Sequence, residues 1–194
     1  MWIIVGLGNP GKKYATSRHN VGFVLIQRLA DKRNTKLKKR KYSAKAAQVE
    51  LVNGPALLVK PWTYMNRSGV AVNGLIEGAG VSLDRLLVVY DDLDIPLGEI
   101  RIRKRGGPGT HNGMASIAQE IDSTEFPRIR IGIGPLPPGV DPTDFVLGDF
   151  RKEENPALND SLITAEKAVD LIMMSGVDEA MNRFNCKVNN TQFL

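Results

Sequence analysis

The sequence predicts an α/β fold: a three-layer α/β/α domain around a mixed, mostly parallel twisted sheet, one domain over residues 1–194. Three observations carry this expectation. Short, wholly apolar runs at residues 2–7 and 86–90 read as strands buried on both faces. Stretches with helical spacing of apolar residues fall between them, and a hairpin-like pair of runs sits among them. With 194 residues, 42% of them apolar, the chain is large enough to bury a real core. No internal repeat, low-complexity tract or linker interrupts it.

The first strand, 2–7, runs into glycine-rich loop material. A helix follows over 21–30, with Val21, Val24, Leu25 and Leu29 at helical spacing and Asn20 as its N-cap candidate. Two β-like stretches, 44–52 and 56–60, flank Asn53-Gly54-Pro55, a hairpin signal. Residues 66–80 read as an amphipathic helix capped by Asn66, and the buried strand 86–90 delivers Asp91 at its C-terminal end. Residues 99–103 alternate polar and apolar, so that run is half exposed. Asn112 caps a further helix through Ile121, and 128–133 alternates basic and apolar residues. A proline-rich loop begins at Gly134, the one candidate hinge or lid, and from Lys152 onward the chain is helical in character.

Composition narrows the function. Through residue 105 the chain holds 19 basic and 8 acidic residues, a net of +11; beyond it, 7 basic and 13 acidic give −6. Lys32, Arg33, Lys36, Lys38, Lys39, Arg40, Lys41 and Lys45 form one basic cluster, and Arg101, Arg103, Lys104 and Arg105 another. Such asymmetry is a footprint for a polyanion, although an isolated lysine run more often serves solubility. The single cysteine, Cys186, excludes an internal disulfide framework, and a reducing, cytoplasmic setting is expected. Its late helical segment has no nearby histidine, which favours an inert thiol over a nucleophile. The apolar runs fall far short of the roughly 20 residues that cross a membrane.

Gly6-Leu7-Gly8-Asn9-Pro10-Gly11 matches the glycine fingerprint of dinucleotide sites, and Asp31 stands 20 residues beyond Gly11. The mechanism behind that fingerprint requires the turn to open directly into a helix facing the pyrophosphate. Here Pro10-Gly11 makes a turn, a polar stretch from Lys12 to His19 intervenes, and Asp31 falls near the end of the helix, so the motif is rejected.

Ligands of α/β sheets sit at strand ends. The polar residues expected there are Asn9, His19, Asn66, Asp91 and Asn112. A neutral imidazole can take a proton from water, a carboxylate on its other nitrogen fixes the tautomer, and amides suit a peptide group or an ester oxygen gaining charge. Blander readings stand beside these: a surface histidine, a turn asparagine at Asn9, helix caps at Asn66 and Asn112. Asp91, Asp92 and Asp94 in one loop offer weak evidence for a hard cation. His111, in a glycine-rich loop, has at most a supporting role, and Lys60 before Pro61 ends a strand.

Taken together, several blocks resemble the bacterial peptidyl-tRNA hydrolases. They are Val5 to Gly11, Tyr14 with Thr16 to Gly22, Lys60 to Gly69, Tyr90 to Gly98, Gly106 to Gly113, and Phe126 to Gly134, in family order. The resemblance implies a cytoplasmic, monomeric enzyme that uses no cofactor and no metal and hydrolyses the ester between a peptide and the 3′ ribose of tRNA. By the same resemblance His19 is the base, Asp91 its orienting partner, and Asn9 a further catalytic group. Tyr14, Tyr64, Met65, Asn66 and Asn112 line the substrate cleft, Arg103 and Arg130 grip the tRNA 5′-phosphate, and residues 134–148 form a mobile lid. Arg105, Pro108 and Thr110 depart from the more uniform glycine and histidine loop common in the family. An ester is already activated, so a positioned water and one base suffice without a covalent nucleophile. The rivals are a non-catalytic RNA-binding relative and, more weakly, a nicotinamide-dependent oxidoreductase.

Overall fold

The computed structural model describes residues 1–40 and 42–185. Its strands are β1 (Trp2–Gly6), β2 (Lys38–Arg40), β3 (Ala44–Leu51), β4 (Gly54–Pro61), β5 (Leu86–Pro96), β6 (Ile100–Arg103) and β7 (Arg128–Gly134), in one sheet ordered β2-β3-β4-β1-β5-β7-β6. The four central strands β4, β1, β5 and β7 run parallel, while β2, β3 and β6 are antiparallel to their neighbours. The helices are α1 (Val21–Asp31), α2 (Ser68–Ala79), α3 (Asn112–Glu120), α4 (Pro142–Leu147), α5 (Asn155–Ser175) and α6 (Val177–Phe184).

Helices cover both faces, as a parallel centre requires. On one face Leu25 and Leu29 of α1, Leu162 and Val169 of α5 and Ala180 of α6 pack on Ile4, Leu87 and Ile129. On the other, Val72 and Leu75 of α2 and Met114 and Ile117 of α3 pack on Ile3, Val5 and Val88. The chain passes from β1 to β4 on one side, then crosses back to β5 on the other. Strand order therefore reverses at β1, and the crevice beyond its C-terminal end is where such sheets bind ligands.

Two glycines bring the next turn down onto that crevice. A Cβ on Gly6 would lie 2.1 Å from the Gly22 carbonyl oxygen, and one on Gly22 would lie 2.5 Å from the Leu7 nitrogen. Only with hydrogen at both positions does the start of α1 touch the end of β1, where the Phe23 N–H donates to the Leu7 carbonyl at 3.1 Å.

The structure departs from the sequence expectations at several element ends. Asp91 is not the end of its strand: β5 continues to Pro96, with a register shift against β7 between Asp92 and Pro96. Since β1 pairs with β5 only as far as Val89, Asp91 still stands beyond the end of β1. Asn66 and Asn112 do not cap their helices, and Asn20 stands at the N-cap position of α1 without a side-chain capping bond. The 3-10 turns Arg18–Asn20 and Met65–Arg67 lead into α1 and α2, and the cap of α3 is His111, whose side chain accepts from the Met114 N–H. The lid segment 134–148 is not loop throughout, since it carries α4, with Asp141 accepting from Thr143 and Asp144 and Pro142 in the first turn. Lys38–Arg40, inside the basic cluster, forms an edge strand. Cys186 and the rest of the C-terminal stretch lie outside the described residues. Among the described residues no helix is long and apolar enough to cross a membrane.

Candidate active site

All three side chains of the turn Arg18–His19–Asn20 are buried, and each ties the turn to a different part of the fold. His19 reaches β5: its Nδ1 lies 2.9 Å from both carboxylate oxygens of Asp91, which is 3% exposed. His111 approaches the same carboxylate from α3, with Nε2 3.1 Å from Oδ1 and the two ring centroids 4.8 Å apart.

The neighbours settle both tautomers. A carboxylate only accepts, so Nδ1 of His19 carries its proton and Nε2 is left with a free lone pair. His111 accepts from the Met114 N–H at Nδ1, 3.2 Å, so its proton is on Nε2 and is donated to Asp91. Burial pushes the Asp91 carboxyl up, but the two imidazoles outweigh it and hold the group well below the ordinary carboxylate range. Asp91 is therefore an anion gripped from two sides.

Asn20 serves the opposite wall. Its Oδ1 accepts from the Asn9 N–H at 2.7 Å, and its Nδ2 donates to the Asn9 carbonyl at 3.0 Å. The Asn9 side chain in turn accepts at Oδ1 from the Met65 N–H, 2.8 Å, which leaves Nδ2 as its unengaged donor. A groove of about 560 Å³ opens here, lined by Asn9, Tyr14, His19, Tyr64, Met65, Asn66 and Asn112. Every residue expected in the catalytic and substrate-binding set except Asp91 lines it, and Asp91 lies buried behind His19. The outer wall is α4, through Pro142, Thr143, Val146 and Leu147.

Arg103 and Arg130 share a second cavity of about 270 Å³ with Asp91, His111 and the loop from Gly106 to Thr110. Leu93 and Thr110 line both spaces, so the two adjoin. Arg130 is held by Asp92, Nε to Oδ2 at 2.5 Å. Burial lowers its pKa, and the Asp92 contact reverses that, raising it. The buried Arg128 donates to the Gly106 carbonyl at 2.5 Å and the Thr124 carbonyl at 2.7 Å, fixing the glycine loop from beneath.

Neither alternative ligand fits. The first two glycines of the fingerprint face protein: a Cβ on Gly8 would lie 2.6 Å from the Phe23 ring, and one on Gly6 2.1 Å from the Gly22 carbonyl oxygen of α1. They serve helix packing. Asp92 is committed to Arg130 and to the Asp94 N–H, which leaves the acidic loop one carboxylate fewer for a cation. His19, Asp91 and His111 do bring ligand-type atoms within 4.8 Å of one another. A metal there would need the Nε2 lone pair of His111, which moves the proton to Nδ1 and breaks the cap on α3.

From the sequence His111 has at most a supporting role and Asn20 is only a cap candidate. His111 is outside the usual N-cap set, and the carboxylate it meets is 20 residues away. Asn20 had a visible local role as a helix cap, which concealed its actual grip on Asn9.

A family model described as peptidyl-tRNA hydrolase matches residues 3–192. A peptidyl-tRNA hydrolase of Chloroflexus aurantiacus is 46% identical over 186 residues, covering 95% of this chain and 99% of its own. One from Alkaliphilus oremlandii is 46% identical over 185 residues, covering 95% and 100%. The crystal structure of peptidyl-tRNA hydrolase from Acinetobacter baumannii superposes with a TM-score of 0.88 at 36% identity, covering 96% of this chain and 95% of that one.

Proposed function

The chain belongs to the peptidyl-tRNA hydrolase family, and from that premise and the chemistry of the groove we infer that it hydrolyses the ester joining a peptide to the 3′ ribose of tRNA. The observation that carries the assignment of residues is His19 Nδ1 at 2.9 Å from both oxygens of a buried Asp91, on the wall of a groove lined by three asparagines.

Nε2 of His19 takes a proton from a water molecule as the water oxygen bonds to the acyl carbon. The imidazolium that forms is stabilised by Asp91, which stays ionised throughout. The amides of Asn9 and Asn112 supply donors to the carbonyl oxygen as it gains charge, and Asn66 pairs with the peptide group. The bond to the ribose oxygen then breaks, that oxygen takes the proton back from Nε2, and a free carboxylate and a 3′ hydroxyl remain. No covalent intermediate is required. A free α-ammonium would leave Asn66 mismatched, which supports a preference for N-acylated substrates. Arg103 and Arg130 line the cavity that adjoins the groove, which supports a role for them in gripping the 5′-phosphate of the acceptor stem.

Family membership supports a cytoplasmic monomer whose whole length acts as one domain, with residues 134–148 closing over the peptide. The test is hydrolysis of N-acetylated aminoacyl-tRNA by the purified chain, with the non-acylated form and EDTA as controls. His19→Ala is expected to lower kcat by roughly 10²–10⁴ while the protein stays folded. Near-normal turnover in that variant removes His19 from the mechanism.

A further inference from the structure

We propose that Arg18 is a positioning residue: it fixes the peptide-side wall of the groove against the turn that carries His19, and so sets how tightly the enzyme holds the peptide of its substrate. The inference rests on the function given above and extends it to a residue outside the groove.

Arg18 is 5% exposed, yet nearly everything it touches belongs to one distant segment. Its N–H donates to the Gly148 carbonyl at 3.0 Å, Nη1 donates to the Asp149 carbonyl, and Nη2 donates to Glu154 Oε2 at 2.7 Å. The guanidinium carbon lies 4.4 Å from the Phe145 ring centroid and 5.1 Å from that of Phe150. Thr16 reinforces the join by donating to Asp149 Oδ1 at 2.8 Å, and Ser17 pairs with Asp149 in an isolated bridge. Burial raises the Glu154 carboxyl, but the Arg151 N–H and the Arg18 guanidinium outweigh this and hold it below the ordinary range. A buried guanidinium keeps such partners because losing any of them strands a charge.

The geometry of α4 turns this clamp into a constraint on the groove. Pro142, Thr143, Val146 and Leu147 line the groove, spaced so that they share one helix face. Phe145 lies off that face and rests on Arg18. The position of the wall is thus set through the Phe145 ring, whereas the His19 ring is set separately by Asp91. The two are separable by kinetics. Lysine in place of Arg18 keeps the charge but loses the planar face between two rings and the paired donors.

The test compares Arg18→Lys, Phe145→Leu and the double variant on an N-acetylated dipeptidyl-tRNA and an N-acetylated aminoacyl-tRNA. Each single variant is expected to raise KM for the dipeptidyl substrate by about tenfold and to change kcat less than about twofold, the signature of lost ground-state binding. The aminoacyl substrate, which reaches less of the wall, responds less. The double variant is expected to fall short of the product of the two, because the residues share one contact. A drop in kcat at unchanged KM overturns the proposal, since Arg18 then acts on His19 instead. So does a lower melting temperature with both constants intact, or a full multiplicative effect in the double variant. If Arg18→Lys fails to fold, Phe145→Leu carries the KM comparison alone. A wild-type chain that cleaves neither substrate overturns the hydrolase reading and this inference with it.

Discussion

Asn20 holds the main chain of Asn9 at both ends, accepting from its N–H at 2.7 Å and donating to its carbonyl at 3.0 Å. An asparagine is the one side chain of this length that presents a donor and an acceptor side by side, as a peptide group does. The grip matters because the Asn9 side chain has a single free donor, and its aim depends on where the backbone is held. Asn20→Asp keeps the acceptor and sets a carboxylate against the Asn9 carbonyl, a mismatch costing about 1–3 kcal/mol. The expected result is a fall in kcat of about tenfold or more in a protein that still folds, measured by single-turnover hydrolysis. Wild-type kcat in Asn20→Asp shows that the aim of Asn9 is irrelevant to the reaction.

His111 does two jobs that substitution can separate. Asparagine at this position can still accept from the Met114 N–H but presents no imidazole N–H to Asp91; alanine does neither. Loss of an N-cap costs about 1 kcal/mol, so His111→Ala is expected to unfold at lower urea than His111→Asn by about that amount. Both variants are expected to lose turnover by about tenfold, since each leaves Asp91 with one imidazole instead of two. Equal stability of the two variants rules out the cap.

The depressed pKa of Asp91 makes a signed prediction for stability. Because the folded chain holds this carboxyl below its unfolded value, the unfolded state binds more protons in the window between the two, and stability rises with pH across it. The contribution is complete above the unfolded value of roughly 3.9 and is lost as pH falls below it. Asp91→Asn, which accepts from one imidazole only, is therefore expected to be clearly less stable than the wild type at pH 7 and to close only part of that gap at pH 3. Urea midpoints measured at both pH values decide this. A constant gap between them means the carboxylate charge contributes nothing.

Much of this site could be read from the sequence because its parts fall where periodicity breaks. Asn9 lies three residues beyond the apolar β1, Asp91 follows the apolar part of β5, and His19 lies two residues before α1, so the ends of the periodic runs point to all three. The pairings were harder to see. The register shift in β5 is a backbone event inside an acidic run that reads as loop, and α4 is a six-residue helix hidden among prolines. His111 and Arg18 draw their roles from partners 20 and 136 residues away, beyond a local window, while Asn20, only 11 residues from Asn9, was masked by its apparent cap role.

Arg103 and Arg130 are expected to contribute unequally to tRNA binding, although both line the same cavity. Arg103 is exposed, so removing it should weaken binding modestly and reduce the slope of log Kd against log salt by about one, the loss of one phosphate contact. Arg130 is different because its Nε neutralises Asp92, a carboxylate whose side chain is only 12% exposed. A phosphate entering the cavity meets the remaining donors of the Arg130 fork while Nε stays on Asp92. Arg130→Ala thus removes a phosphate contact and also leaves a poorly solvated anion beside the incoming phosphate, so the affinity loss should exceed that of Arg103→Ala. Adding Asp92→Asn to Arg130→Ala should recover the part due to repulsion and leave the part due to the lost contact. Titrations of an acceptor-stem RNA between 50 and 200 mM salt separate the two, since repulsion and lost attraction both weaken with salt but only the first is relieved by Asp92→Asn. A double variant that binds no better than Arg130→Ala shows that Asp92 never faces the phosphate.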